Sequence, residues 1–170
     1  MKIRNMYTLK EMKEKSLEFY KGLNVETSQE NILLAVRSLT MPQYAKEYKD
    51  KYGETIGDHT ALATVGDAVC GAFLMLDRYT GEKTSKTLTE EKEIVKNDRL
   101  NVIGKKMLCD EDGIFLFASN NDLESNNEDH PNKKAYATAF EAIIGFIALL
   151  DKDQKTNNAD RILKEYLSNI

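Results

Sequence analysis

The chain has 170 residues, 31% of them charged and 41% hydrophobic, with a formal net charge of −4. Such a length suffices for one domain with a proper buried core, and the acidic balance argues against a general polyanion binder, which needs clustered Lys and Arg. Two cysteines without a C-x-x-C pair, Cys70 and Cys109, and no leader-like opening point to a reducing, cytoplasmic setting. No charge-free run reaches the roughly eighteen residues of a membrane span, so no membrane association is expected.

Only two prolines and nine glycines punctuate the chain, which favours helices joined by short connections. Thr8-Leu-Lys-Glu11, Thr27-Ser-Gln-Glu30 and Thr87-Leu-Thr-Glu90 each fit a capping box, in which a hydroxyl cap precedes a carboxylate by three residues. Ile32, Leu33, Val36 and Leu39 then follow at helical spacing, and Pro42 suits the first turn of a helix carrying Tyr44 and Tyr48. Residues 110–119, DEDGIFLFAS, are the least helical stretch, a turn followed by a short apolar run. Residues 120–134 are rich in Asn and Asp and read as an exposed loop. A final helix is expected from Asn158, with Ile162, Leu163, Tyr166 and Leu167 on one face. There is no internal repeat, and residues 1–170 read as one all-α domain.

Two sixteen-residue segments stand out from this hydrophilic background. ALATVGDAVCGAFLML, residues 61–76, carries a single charge at Asp67, and AYATAFEAIIGFIALL, residues 135–150, a single charge at Glu141. In the first, apolar residues at 61, 62, 65, 68, 69, 72, 73 and 76 form a helical stripe, with Asp67 on the opposite side among Ala63, Cys70, Gly71 and Leu74. A helix apolar nearly all round is normally buried. Gly66, Gly71 and Gly145 each cost about 1 kcal/mol relative to alanine in a helix, which makes sense where another backbone comes close. A buried carboxylate needs hydrogen bonds, a cation or a metal, and neither segment contains Lys, Arg or His. Two such acids meeting across a helix interface require a proton or a divalent cation between them. The plainer alternative is that each is hydrogen-bonded at a helix end or water-facing notch. Cys70 reads as a small buried hydrophobe, and His59 and His130, in loop-like contexts without ligand spacing, as solvent-facing.

Leu62-Ala-Thr-Val-Gly-Asp-Ala-Val69 resembles the signature helix of the ribonuclease III family, usually L-E-x-L-G-D-A/S-V, and Ala139-Phe-Glu-Ala-Ile-Ile-Gly-Phe146 resembles its second acidic helix. Asn31 to Thr40 is similar to the family's first helix, and Ile94-Val-Lys-Asn-Asp-Arg-Leu to its L-V-S-N stretch. The likeness spans about Asn31 to Leu150. It implies the family's helical endonuclease-domain fold, a homodimer, and magnesium-dependent cleavage of double-stranded or structured RNA to 5′-phosphate and 3′-hydroxyl ends; manganese is the substitute ion.

Carried over residue by residue, Asp67 and Glu141 match the two central acids as catalytic residues and metal ligands. The family's other two acids, at i−4 and j−3, are here Ala63 and Thr138. In this respect the chain is similar to the Mini-ribonuclease III branch, L-A-Y-x-G-D-A and S-T-A-F-E-A, whose members are active. Magnesium often keeps several waters and takes only one or two carboxylates, so Asp67 and Glu141 suffice to hold one hydrated ion, with Thr138 offering its hydroxyl to a coordinated water. Lys96, Asn97, Arg99, Lys133 and Lys134 are the candidate contacts to the RNA backbone, the alternative for each being a solvated surface residue. Duplex recognition would rest on shape, phosphates and 2′-hydroxyls. Three departures stand: Met41 replaces the family's histidine, Thr64 replaces a bulky aromatic of the dimer, and no K-S-G stretch precedes the second helix. No double-stranded-RNA-binding domain is expected after Ile170. Two rival readings remain open, a noncatalytic RNA-binding or ribosome-associated relative with a degenerate metal site, and a helical dimer serving only as an interaction module.

Overall fold

The computed structural model describes residues 6–110, 113–119 and 134–168, excluding the side chains of Asn97 and Asp98. Among these residues the chain is predominantly helical, with seven α-helices and almost no strand. Helix α1 (Leu9–Gly22) opens with the expected capping box: Thr8 Oγ1 accepts from the Glu11 amide, and Glu11 accepts from the Thr8 amide at 2.8 Å. The other two boxes are not formed. The stretch after Thr27 makes a short 3-10 turn (Gln29–Asn31) before α2 (Ile32–Ser38), and the Asn31 side-chain amide donates to Ser28 Oγ at 3.1 Å. The third helix start lies three residues earlier than expected, because Thr84 captures the Thr87 amide and places Thr87 inside the first turn.

Helix α3 (Pro42–Tyr52) takes its proline in the first turn, buries Tyr44 and Tyr48, and ends on Gly53 with φ of +72°. Helices α4 (Thr60–Arg78) and α5 (Ser85–Leu108) follow. The chain then forms a two-stranded antiparallel ribbon, β1 (Cys109–Asp110) with β2 (Gly113–Ile114). The apolar run after it threads beside the α2–α3 junction, where the Phe117 amide donates to the Leu39 carbonyl and its own carbonyl accepts from the Met41 amide. A short polar ribbon left no periodic signal to read, but its buried continuation through Leu116, Phe117 and Ala118 accounts for the apolar run.

Helix α6 (Ala135–Gln154) is the centre of the bundle, buried at twelve positions and packed against both α4 and α5. Asp151 near its end receives the amides of Asn158 and Ala159 at 2.9 and 2.8 Å and so starts α7 (Asn158–Leu167). Ile162, Leu163 and Leu167 then return to the core as the spacing predicts. At the other side Tyr20 packs against Phe146, with ring centroids 4.8 Å apart and the planes tilted by 57°, while its hydroxyl meets Ser38 Oγ at 2.6 Å.

Three glycines set how closely α6 can approach. A Cβ on Gly66 would overlap the Glu141 carbonyl, one on Gly145 the Leu62 carbonyl, and one on Gly104 the Tyr136 carbonyl. Gly71 does not share this role, since a methyl there would meet only Lys92 Cδ at 3.4 Å.

This close packing sets the orientation of α4. Its buried side is Leu62, Ala63, Gly66, Cys70, Gly71 and Leu74, the small-residue side that carries Asp67 at its margin. The wider apolar stripe turns outward instead: Ala61, Ala68 and Ala72 are exposed, Val65, Val69 and Phe73 half-buried, and Leu76 is 81% exposed. Small residues won because α6 needs backbone contact, which bulky side chains prevent. By length and composition α4 is also apolar enough to cross a membrane.

Candidate active site at the α4–α6 crossing

The glycine contacts bring together the backbones beside Asp67 and Glu141, because Gly66, which directly precedes Asp67, lies against the Glu141 backbone. The two carboxylates have different surroundings. Asp67 is half open to solvent, its side chain 51% exposed, whereas Glu141 is half-buried among apolar neighbours. Burial raises the Glu141 carboxyl above the usual carboxylate range; the charges of Lys96 and Lys134 pull it down, and that of Glu93 pushes it up. Cys70, one turn beyond Gly66, is fully buried, and burial with the nearby Glu141 charge pushes its thiol up. It is an inert packing group, as expected.

The cation that neither apolar segment supplies comes from α5. Lys96 makes an ion pair with Asp67 Oδ1, and its side chain is only 13% exposed. The same ammonium acts on Glu141, so one Lys reaches both acids electrostatically. A carboxylate on an apolar helix thus finds a charged partner on a third helix. Glu93, one turn before Lys96, went unnoticed in the sequence as a neighbour of this site. It is held by Lys92 at 3.4 Å, and only its position three residues from Lys96 hints at the shared face.

Thr138 lies one turn before Glu141 and is half-buried. It lines a cavity of about 340 Å³ with Met41, Gln43, Thr60 and His59. His59 is not solvent-facing as expected: it is 3% exposed, and its amide donates to the Thr40 carbonyl at 2.9 Å, which draws the start of α4 inward. Asp58 takes the outer position and accepts the Thr60 amide at 2.9 Å, so it serves the helix start. Met41 stands beside His59 in this cavity, so a histidine does line the wall to which Met41 contributes none.

The candidate RNA contacts are dispersed. Lys134 is exposed at the start of α6 and within electrostatic reach of Glu141. Arg99 is exposed on α5, one turn beyond Lys96. Lys96 itself is engaged by Asp67. The Asn97 side chain, Lys133 and His130 lie outside the described residues. Asn101 on the same helix escaped notice in the sequence: its Oδ1 accepts the amides of Tyr136 and Ala137 at 3.1 and 3.2 Å and so caps the helix that carries Glu141. The cap is supplied from 35 residues away, so no local pattern could reveal it.

No protein-family model matches this chain, and no curated protein matches it.

Proposed function

We propose that the protein is a magnesium-dependent endoribonuclease that cleaves double-stranded or structured RNA by phosphodiester hydrolysis, with the helical endonuclease-domain fold of the ribonuclease III family, acting as a cytoplasmic homodimer. One observation carries the reading most: the two carboxylates singled out by the G-D-A-V and F-E-A-I-I-G resemblance stand on helices that cross at Gly66, and one cation, Lys96, pairs with the first and acts on the second.

The donor set fits a hydrated magnesium ion. On this reading Asp67 and Glu141 supply hard oxygen ligands from the two crossing helices, with Lys96 acting on both acids and the Thr138 hydroxyl one turn before Glu141. When bound, magnesium would neutralise charge on the phosphate and help the leaving oxygen. The chain's own residues do the rest. Gly66 and Gly145 fix the spacing of the acids, Asn101 holds the first turn of the Glu141 helix, and Lys134 and Arg99 bring positive charge to the RNA backbone.

Dimerisation is supported by the outward apolar stripe of α4, which ends in Leu76. Exposed apolar surface of this kind is better covered than left in water. The noncatalytic reading draws its support from Ala63 and Thr138, which leave the site two acids short of the four-acid form, and from the commitment of Asp67 to Lys96.

The two readings part on product chemistry. The nuclease reading predicts that a labelled RNA hairpin, and not the matching single strand, is cut in magnesium to 5′-phosphate and 3′-hydroxyl ends. A hairpin that is bound and stays intact would establish the noncatalytic reading instead.

A further inference from the structure

We infer that Lys96 is the resident counter-cation of the Asp67–Glu141 notch, and that a divalent metal gains its place there only by displacing the Lys96 ammonium from Asp67. The inference rests on the reading of these two acids as a metal site. Its grounds are geometric. Lys96 makes its ion pair with the more open of the two acids, while its own side chain is withdrawn to 13% exposure. The ammonium therefore meets the charge of Asp67 from within the protein.

Electrostatics then orders the states. An ammonium and a dication cannot share the one Asp67 carboxylate without strong mutual repulsion, and in a partly buried notch that repulsion is weakly screened. Glu141 alone does not balance two charges of metal. Lys has a flexible four-carbon stem and a compact charge, so it can swing out where a rigid guanidinium would not. Asp67 is 51% exposed, which leaves room for incoming metal on the solvent side. The pair thus keeps the site electrically satisfied without metal and raises the metal concentration at which it fills. A swung-out Lys96 would lie nearer the surface, where Arg99 one turn away is already exposed, and would there be placed to meet a phosphate. Metal and duplex would thereby favour one another through one side chain.

The test uses the full chain and measures Mn²⁺ binding by electron paramagnetic resonance, beside chemical acetylation of Lys96 followed by mass spectrometry. Lys96→Met keeps the stem and removes the charge. It is expected to bind Mn²⁺ about tenfold more tightly than the wild type. In the wild type, Mn²⁺ is expected to increase acetylation of Lys96 several-fold, a readout that does not depend on how well the variant folds. Unchanged or weaker Mn²⁺ binding by a folded Lys96→Met protein would overturn the inference, as would unaltered acetylation of wild-type Lys96 at saturating Mn²⁺. The absence of Mn²⁺ binding by both proteins would overturn it together with the metal-site reading. Failure of RNA cleavage alongside tighter Mn²⁺ binding by the variant would leave the inference standing and remove only the nuclease reading.

Discussion

Gly66 lies so close to Glu141 that a single methyl group on it would overlap the Glu141 carbonyl oxygen. Position 66 is therefore the packing residue that sets how closely the helices carrying Asp67 and Glu141 approach. A residue chosen for helix stability alone would not be glycine, which costs about 1 kcal/mol there relative to alanine.

Gly66→Ala is expected to destabilise the fold by about 2–3 kcal/mol net, because backbone overlap outweighs the gain in helix propensity. Gly71→Ala is the matched comparison. Its methyl meets only a lysine methylene at ordinary contact distance, so it should be neutral or stabilising by up to about 1 kcal/mol. Denaturant melts of the two variants check the pair; equal effects would contradict the crossing described here.

The two acids should respond oppositely to neutralisation. Burial holds the Glu141 carboxyl above its ordinary range, so the folded state binds this proton more tightly than the unfolded chain does. Its charged form therefore costs stability, and the cost grows as pH rises through the carboxylate range. Glu141→Gln should stabilise the protein by about 0.5–1 kcal/mol at pH 7, and the gain should vanish near pH 3–4, where both side chains are neutral. Asp67→Asn should destabilise at pH 7 by about 1 kcal/mol, because it strips a mostly withdrawn Lys96 of its partner. Thermal melts at the two pH values measure both signs.

Asn101→Ala should cost about 1–2 kcal/mol, the usual loss for a helix cap, since Asn101 receives two amides at the start of α6. Amide hydrogen exchange should show the loss concentrated in the first turn of α6, around Tyr136 to Thr138. Uniform loss of protection across the chain would mean that Asn101 acts through general packing.

The outward face of α4 yields a prediction about assembly. Leu76→Asp places a charge on a residue already 81% exposed, so the monomer's stability should change by less than about 0.5 kcal/mol. If that face joins two copies, sedimentation should show the dimer weakened at least tenfold. An unchanged sedimentation profile would place the dimer contact elsewhere.

Much of the architecture was legible because it was written in long periodic segments. The helices starting at Thr8, Pro42 and Asn158 announced themselves by cap, proline and apolar spacing, and the two acidic helices by their composition. The glycines of α4 and α6 pointed to a close backbone approach, but the apolar stripe by itself did not tell which face of α4 would be buried. Here close backbone approach ranked first, and the glycine side went inward while Leu76 went outward. Lys96 and Asn101 could not be linked to the acidic helices from sequence spacing, since both act across helices brought together only by folding. His59 was misplaced for a similar reason: a loop-like context conceals that its amide is tied to Thr40.

The decisive measurement is cleavage of a labelled RNA hairpin by the wild type, Glu141→Gln and Asp67→Asn, each in magnesium and in chelator. The account predicts cutting by the wild type in magnesium alone and a loss of at least a hundredfold in both variants, while all three stay folded. Binding without cutting, indifferent to magnesium and to both substitutions, would contradict it.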